Sequence, residues 1–556
     1  MNRSTHILFL FLLAASFAFA QHAPFDPVAL KADPTTANEP IAPVLDGIGS
    51  AHLAITTKSP QAQAFFDQGL RLAYAFNHQE ALRSFKEAAR LDPDCAMAYW
   101  GWALVLGPNL NLPMVPDVVP QAYAAIQKAV ALKASASDKE QKLIDALAKR
   151  YVAAPAADRA ALDQAYTDAI HELHHAYEDD NNIAVFFAAA LMNLSPWDYW
   201  SKDGVPHNWT PEILSLLEGV IERDPKHEGA LHYYIHAIEA VHPERAEPMA
   251  DLLTGLTPNT GHLVHMPSHI YMQTGRYADA FTANTNAIKA DEGYVTACRA
   301  QGIYPLAYYP HNIHFLAWAA IMQGRKAEAM AASRKVADRV PMHHVDSDIW
   351  ALYQTFLSMP LYTMVRFGMW DEVLAEPALD REAHFTEGIR HYARGLAYLH
   401  TGGLGKAARE LKEIDKIIDD PTAIETLIGY SNAKQLLQIA RGVLNGELLA
   451  KRRKFDEAVA QLDRVVRLED TLLYNEPPDW YYPTRQTLGS ILLDARRADE
   501  AAIVFWQDLK DNRENGYSLK GVIDAMKAQG KDPAAIETRF EKAWFAADVQ
   551  LSSARF

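Results

Sequence analysis

FFDQGLRLAYAFNHQEALRSFKEAARLDP, residues 65–93, decides the fold class. Apolar side chains recur at i, i+3, i+4 and i+7, the spacing of one helix face. A short turn at Asn77-His78 interrupts the run, so the stretch predicts two amphipathic helices lying antiparallel. Gly69, Ala81 and Ala88 keep the facing surfaces thin enough for close approach. Pro93 ends the second helix, because its ring removes a backbone donor and clashes with the preceding turn. One such pair cannot cover its own apolar face, so neighbouring pairs must stack.

The pattern returns along the chain. YMQTGRYADAFTANTNAIKAD at 271–291 carries a turn at Gly275-Arg276-Tyr277 and a small residue at Ala280. It recurs at Gly324-Arg325-Lys326 with Ala329, at Gly368-Met369-Trp370, as RRKFDEAVAQLDRVVRL at 452–468 and as LLDARRADEAAIVFWQDL at 492–509. A helix–turn–helix unit of about 34 residues with this grammar resembles the tetratricopeptide repeat (TPR) family. The resemblance covers most of the chain. It implies an all-α, right-handed superhelical solenoid of antiparallel helix pairs, with a groove lined by the first helix of each pair and used for peptide or protein ligands. Two inserted loops interrupt the array, GPNLNLPMVPDVVP at 107–120 and the Pro- and Trp-rich stretch 196–211. The expected organisation is an N-terminal extended segment at 21–58, N-terminal repeats at 59–195, a central His-rich block at 196–345 and C-terminal repeats at 346–556.

Composition narrows the class. The 556 residues are 49% hydrophobic and 22% charged, a globular balance that excludes disorder. No long apolar run follows the N-terminus, which excludes a polytopic membrane protein. A net charge of −16 is poorly suited to holding nucleic acid phosphates. Residues 1–20 read as a signal peptide: Arg3 is the positive end, Ile7 to Ala15 the apolar stretch, and Ala18-Phe19-Ala20 the cleavage pattern before Gln21. The expectation is a periplasmic or secreted protein without a membrane span after cleavage. Cys95 and Cys298 either pair or stay as buried thiols.

The histidines carry the functional signal. With 22 in the chain, positions 232–314 should hold about three, and they hold eight. His232, His236 and Glu239 share one helix face, as do His262, His265 and His269, and His311 and His314. Matching each set to its turn places them on the groove-facing side of three successive repeats, with the first set requiring a turn one residue shorter. Pro267 threatens to start its helix late and displace His262, whereas Pro310 fits the first turn of a helix that points His311 and His314 inward. Seven imidazoles and a carboxylate then converge. Neutral imidazole is the commonest ligand for transition metals; nitrogen without thiolate favours zinc, copper or iron over magnesium or calcium, and export makes copper or zinc the preference.

Weaker candidates accompany them. His343, His344, Asp346 and Asp348 read as helix-capping residues that would otherwise add ligands. His171, His174 and His175 read as a solvated face, and His242 before Pro243 as a turn residue. Trp197-Asp198-Tyr199-Trp200 and Asp479-Trp480-Tyr481-Tyr482 read as packing between repeats or as stacking walls for a ligand, with Tyr482 and Arg485 an anion-binding option. No GxSxG elbow, GxxxxGK[ST] loop or CxxC pair is present. Three readings result: a metal-binding solenoid; a metal-free TPR adaptor for peptides or envelope proteins; and a metal-dependent enzyme, an oxidase with copper or a hydrolase with zinc and Glu239 as catalytic base.

Overall fold

A computed structural model describes residues 37–556 without 157, 299–303, 342–346, 380–382 and 421–426, and without the side chains of 295–298 and 347–349. The signal-peptide reading, His343, His344, Asp346 and the side chains of Asp348 and Cys298 lie outside the described residues. Cys95 is a free, buried thiol.

The chain is an all-α array of antiparallel helix pairs. Pro60–Tyr74 and His78–Leu91 form the first, with Ser59 Oγ capping the Ala62 N–H. A Cβ on Gly69 would lie 2.7 Å from the Phe85 ring, so the missing side chain is what lets the two helices close on each other. The turn between them recurs throughout. Phe76, Gly275, Gly324, Gly368, Gly402, Arg453 and Arg496 each occupy the middle of a three-residue link with φ between 55° and 88°. The next residue's N–H reaches back five positions: Arg276 N to Tyr271 O at 2.8 Å, Arg325 N to Ala320 O at 3.0 Å, Lys454 N to Leu449 O at 3.0 Å. This is the Schellman closure, and it satisfies carbonyls that the helix end would leave bare. Glycine adopts it freely; Phe76 does so under strain.

Two features go beyond a simple stack. Residues 41–57 have no helix and lie across the repeats as a strap, held by Ile41 N to Glu87 Oε2 at 2.8 Å, Leu45 N to Gln68 Oε1 at 2.8 Å, Ser50 to Glu228, Thr56 to Glu140 and Thr57 to Asp92. The C-terminal repeats also press on the central turns. A Cβ on Gly275 would lie 2.7 Å from Arg513 O, Tyr277 Oη donates to that carbonyl at 2.7 Å, and Trp544 lies against Gly324. Both inserted loops are present, at 106–118 and 195–209. Beside the helices, the described residues include one two-residue hairpin, Leu427–Ile428 with Ser431–Asn432. Among the described residues, no helix is long and apolar enough to cross a membrane.

Candidate metal centre

The histidine-bearing elements are Glu228–Ile238, Gly261–His265, Pro267–Gln273 and Tyr309–Met322. Pro267 starts its own helix but does not displace His262, because Met266 keeps helical dihedrals and joins the two segments nearly end to end. Pro310 lies in the first helical turn, as its neighbours imply. A π-helical turn at Tyr304–Tyr308 leads into that helix. Tyr304 Oη accepts from His262 N at 3.0 Å and donates to Asp291 Oδ1 at 2.8 Å, which anchors the start of the second histidine segment.

Six of the seven imidazoles meet. His232, His236 and His262 offer ligand atoms within 4.8 Å of one another, and so do His265, His269 and His311. His232 is 0% exposed and His265 0%; His311 is partly buried. His232 Nε2 faces His262 Nε2 at 3.1 Å, and His265 Nε2 faces His269 Nε2 at 2.9 Å. The opposite nitrogens are held from behind. His232 Nδ1 lies 2.6 Å from Tyr74 O, and His265 Nδ1 lies 2.7 Å from Asn284 Oδ1. His236 Nδ1 lies 3.4 Å from Glu239 Oε1. His269 Nδ1 sits between Glu239 Oε2 at 3.1 Å and Glu476 Oε2 at 2.7 Å. Two ring nitrogens, His236 Nε2 and His262 Nδ1, are buried without a hydrogen-bond partner.

His314 stands apart. Its Nε2 pairs with the Tyr481 hydroxyl and its ring packs on Phe356, so convergence of seven imidazoles is corrected to six. The helix turns about 60° between His311 and His314, enough for a different neighbour to claim the second ring. Glu239 is beside the cluster but reaches Nδ1 atoms, not the Nε2 side. His242 caps Pro243–Leu253 with its ring edge on Trp200. His171 and His175 pair at 3.0 Å on the outside of the molecule. Trp197 turns its edge to His236 at 5.1 Å, in a left-handed backbone of φ 65°. Arg485 is engaged by Asp470 at 2.7 Å, and Tyr482 is buried among Tyr362 and Trp480.

Burial sets the protonation of these rings. It holds His232, His262, His265 and His311 well below the usual imidazole range, and neighbouring imidazoles add to the effect. His269 goes the other way. Burial opposes its charge, yet the Glu239 and Glu476 carboxylates raise it to about 10.

Several partners escape a reading of the sequence. Glu476 arrives on the loop after Phe455–Glu469, and Gln273 Nε2 donates to its Oε1. Phe76 places its ring against His232, His236 and His262; Phe315 does the same for His265, His269 and His311. No local periodicity announces either phenylalanine as a companion of histidines. The faces expected to form an open groove are covered by the chain itself, by Glu476 and Tyr481 among others. A cavity of about 940 Å³ borders the centre at Thr260, Gly261 and Tyr304.

No family model and no curated protein matches the chain. Solved structures that resemble it include the human IFIT1 dimer with m7Gppp-AAAA, at 12% identity and TM-score 0.31 over 89% of this chain and 92% of that one. The APC/C hetero-tetramer Cut9-Hcn1 matches at 11% identity and TM-score 0.30, over 88% and 78%. The repeat units are antiparallel helix pairs joined by short links. That statement describes architecture and leaves function to the site.

Proposed function

We propose that this chain is a metalloprotein, a helical solenoid that holds copper or zinc on imidazole nitrogens in its interior. The nitrogen geometry carries the reading. Tyr74 O only accepts, so His232 Nδ1 bears the hydrogen and Nε2 presents a lone pair. Asn284 Nδ2 donates to Ala280 O at 2.8 Å, which leaves its Oδ1 to accept from His265 Nδ1 and bares that ring's Nε2 as well. Each bare Nε2 meets a second imidazole Nε2, at 3.1 and 2.9 Å. Two nitrogens bound at about 2.0–2.1 Å to one ion stand roughly 3.3 Å apart at a tetrahedral angle and about 2.9 Å at a right angle. The observed separations fall in that span.

Protonation state supports the same reading at His232, His262, His265 and His311, whereas His269, raised by Glu239 and Glu476, must give up its Nε2 proton to bind. Buried neutral rings are the form that binds metal without first losing a proton. The unpartnered His236 Nε2 and His262 Nδ1 each cost about 1–3 kcal/mol as buried orphans. Coordination of His236 Nε2 relieves its share, whereas His262, held through Nε2, keeps Nδ1 as a buried N–H. Carbonyl, amide and carboxylate groups behind the ring nitrogens fix tautomer and orientation as second-layer partners of metal histidines do. Glu239 belongs to that layer in this reading, in place of the catalytic base expected for a zinc hydrolase. The N-terminal sequence supports export, where copper and zinc are exchanged without competing cytosolic thiols. An adaptor would need an accessible track, and the histidine faces are buried under the chain's own loop.

The test is metal analysis of untagged protein. Stoichiometric copper or zinc is expected, reduced in His236→Gln and retained in His314→Phe. A folded protein that carries neither ion and takes up neither on titration overturns the proposal.

A further inference from the structure

The metal reading leaves open how many ions the interior takes, and the arrangement of the rings bears on that number. The two histidine sets share no residue, and each closes within 4.8 Å. A single four-coordinate ion uses four donors, so six imidazoles exceed one such ion. Each set also contains one close Nε2 pair of its own, His232 with His262 and His265 with His269.

The aromatic backing is independent of the nitrogens and divides the same way. Phe76 lies 4.4, 5.9 and 5.4 Å from the rings of His232, His236 and His262. Phe315 lies 4.6, 4.7 and 4.9 Å from those of His265, His269 and His311. Each trio therefore wraps its own phenylalanine, Phe76 from the link after Pro60–Tyr74 and Phe315 from Tyr309–Met322. Across the divide His236 and His269 are 5.6 Å apart, and His262 and His265 6.0 Å, so the trios are neighbours.

We infer that the centre is dinuclear: one transition-metal ion on His232, His236 and His262, and a second beside it on His265, His269 and His311. This rests on the metal reading above and goes beyond it. Three imidazoles leave a four-coordinate ion one position for a small ligand. Glu239 and Glu476 meet His269 through Nδ1, the nitrogen that does not face His265. They orient one ligand of the second ion and do not build a third site.

Titration of the full-length, untagged, metal-stripped protein with copper(II) tests the inference. Two ions per chain are expected. Their proximity should couple the two spins, so that the integrated electron paramagnetic resonance signal accounts for clearly less copper than elemental analysis finds. His262→Gln should bind one ion and give a signal that accounts for all of it. Should that variant fail to fold by circular dichroism, His311→Gln removes a ligand from the other set at a less buried position. Azide added to the two-ion form should bring a new ligand-to-copper absorption band. One ion per wild-type chain overturns the dinuclear inference and leaves the metal reading standing, whereas none overturns both. Two ions with a full, uncoupled signal, a third ion, or no azide band also contradict it.

Discussion

Two polar clusters in this molecule are both drawn into the interior and differ in how their atoms are satisfied. In the C-terminal repeats, Asp508 accepts from Ser518 Oγ, Asn512 Nδ2 and Asn515 Nδ2, and Gln486 bridges Asp508 and Arg366. Every side-chain polar atom of Asp508, Gln486, Asn515 and Ser518 is hydrogen-bonded, and Arg366 Nε at the edge of the cluster is left without a partner. In the central repeats five of the six histidines are buried and His311 partly so, yet two ring nitrogens have no partner and four others face each other across two short gaps. A closed network needs nothing further and serves the fold. An open one made of ligand atoms is what the proposed metal site rests on.

Adding metal should separate the clusters most clearly. At copper or zinc 1,000-fold above its dissociation constant, the native state gains about 4 kcal/mol, read as a shift of the denaturation midpoint that chelator reverses. If the same gain persists when both histidine sets are disabled, the contrast fails.

Asp291 gives the next effect. It accepts from Tyr304 Oη and from Asn312 Nδ2 at 2.7 Å, yet burial raises its carboxyl to about 7 from 3.8. A raised acid favours folding below its unfolded value and loses that contribution as pH climbs toward the folded one. Stability should fall by about 1 kcal/mol per pH unit between roughly 4 and 7, on the order of 3 kcal/mol in all. Asp291→Asn should flatten that limb of the thermal stability profile; an unchanged slope means that another group titrates.

Asp508→Ala strips acceptors from buried donors and should cost about 2 kcal/mol in chemical denaturation, with metal content unchanged. Loss of metal in that variant would tie the closed cluster to the open one. The smallest effect belongs to His314→Phe. Losing the bond to Tyr481 should cost about 1 kcal/mol, and metal uptake should match wild type. Reduced uptake would return His314 to the ligand set.

The sequence displays the fold because each pair repeats a local rule. The apolar spacing of 65–93 and the turns at Gly275, Gly324 and Gly368 act over a few residues, and the structure realises them as Schellman links. The three histidine stripes are legible for the same reason, since a helix fixes which residues share a face. What crosses the array is not. Glu476 lies more than 200 residues from His269, on a loop whose course no periodicity sets. Phe76 reads as an ordinary turn residue until its left-handed backbone aims the ring at His232. Tyr481 belongs to an aromatic cluster visible in the sequence, but its pairing with His314 depends on how the distant repeats meet.

The strap at 41–57 has a consequence for how the molecule assembles. Its main-chain amides are held by acidic and amide side chains of helices that come later in the chain, from Gln68 and Glu87 out to Glu140 and Glu228. During synthesis this stretch is made first, but its last anchor appears some 180 residues afterwards. Its ends can fasten to the first helix pairs early, but its docking is complete only once Glu228 is in place, like a drawstring tightened over a filled bag. A nick within it would separate its five fastenings into two independent groups, so the early helices and Glu228 would no longer be tied by one continuous segment.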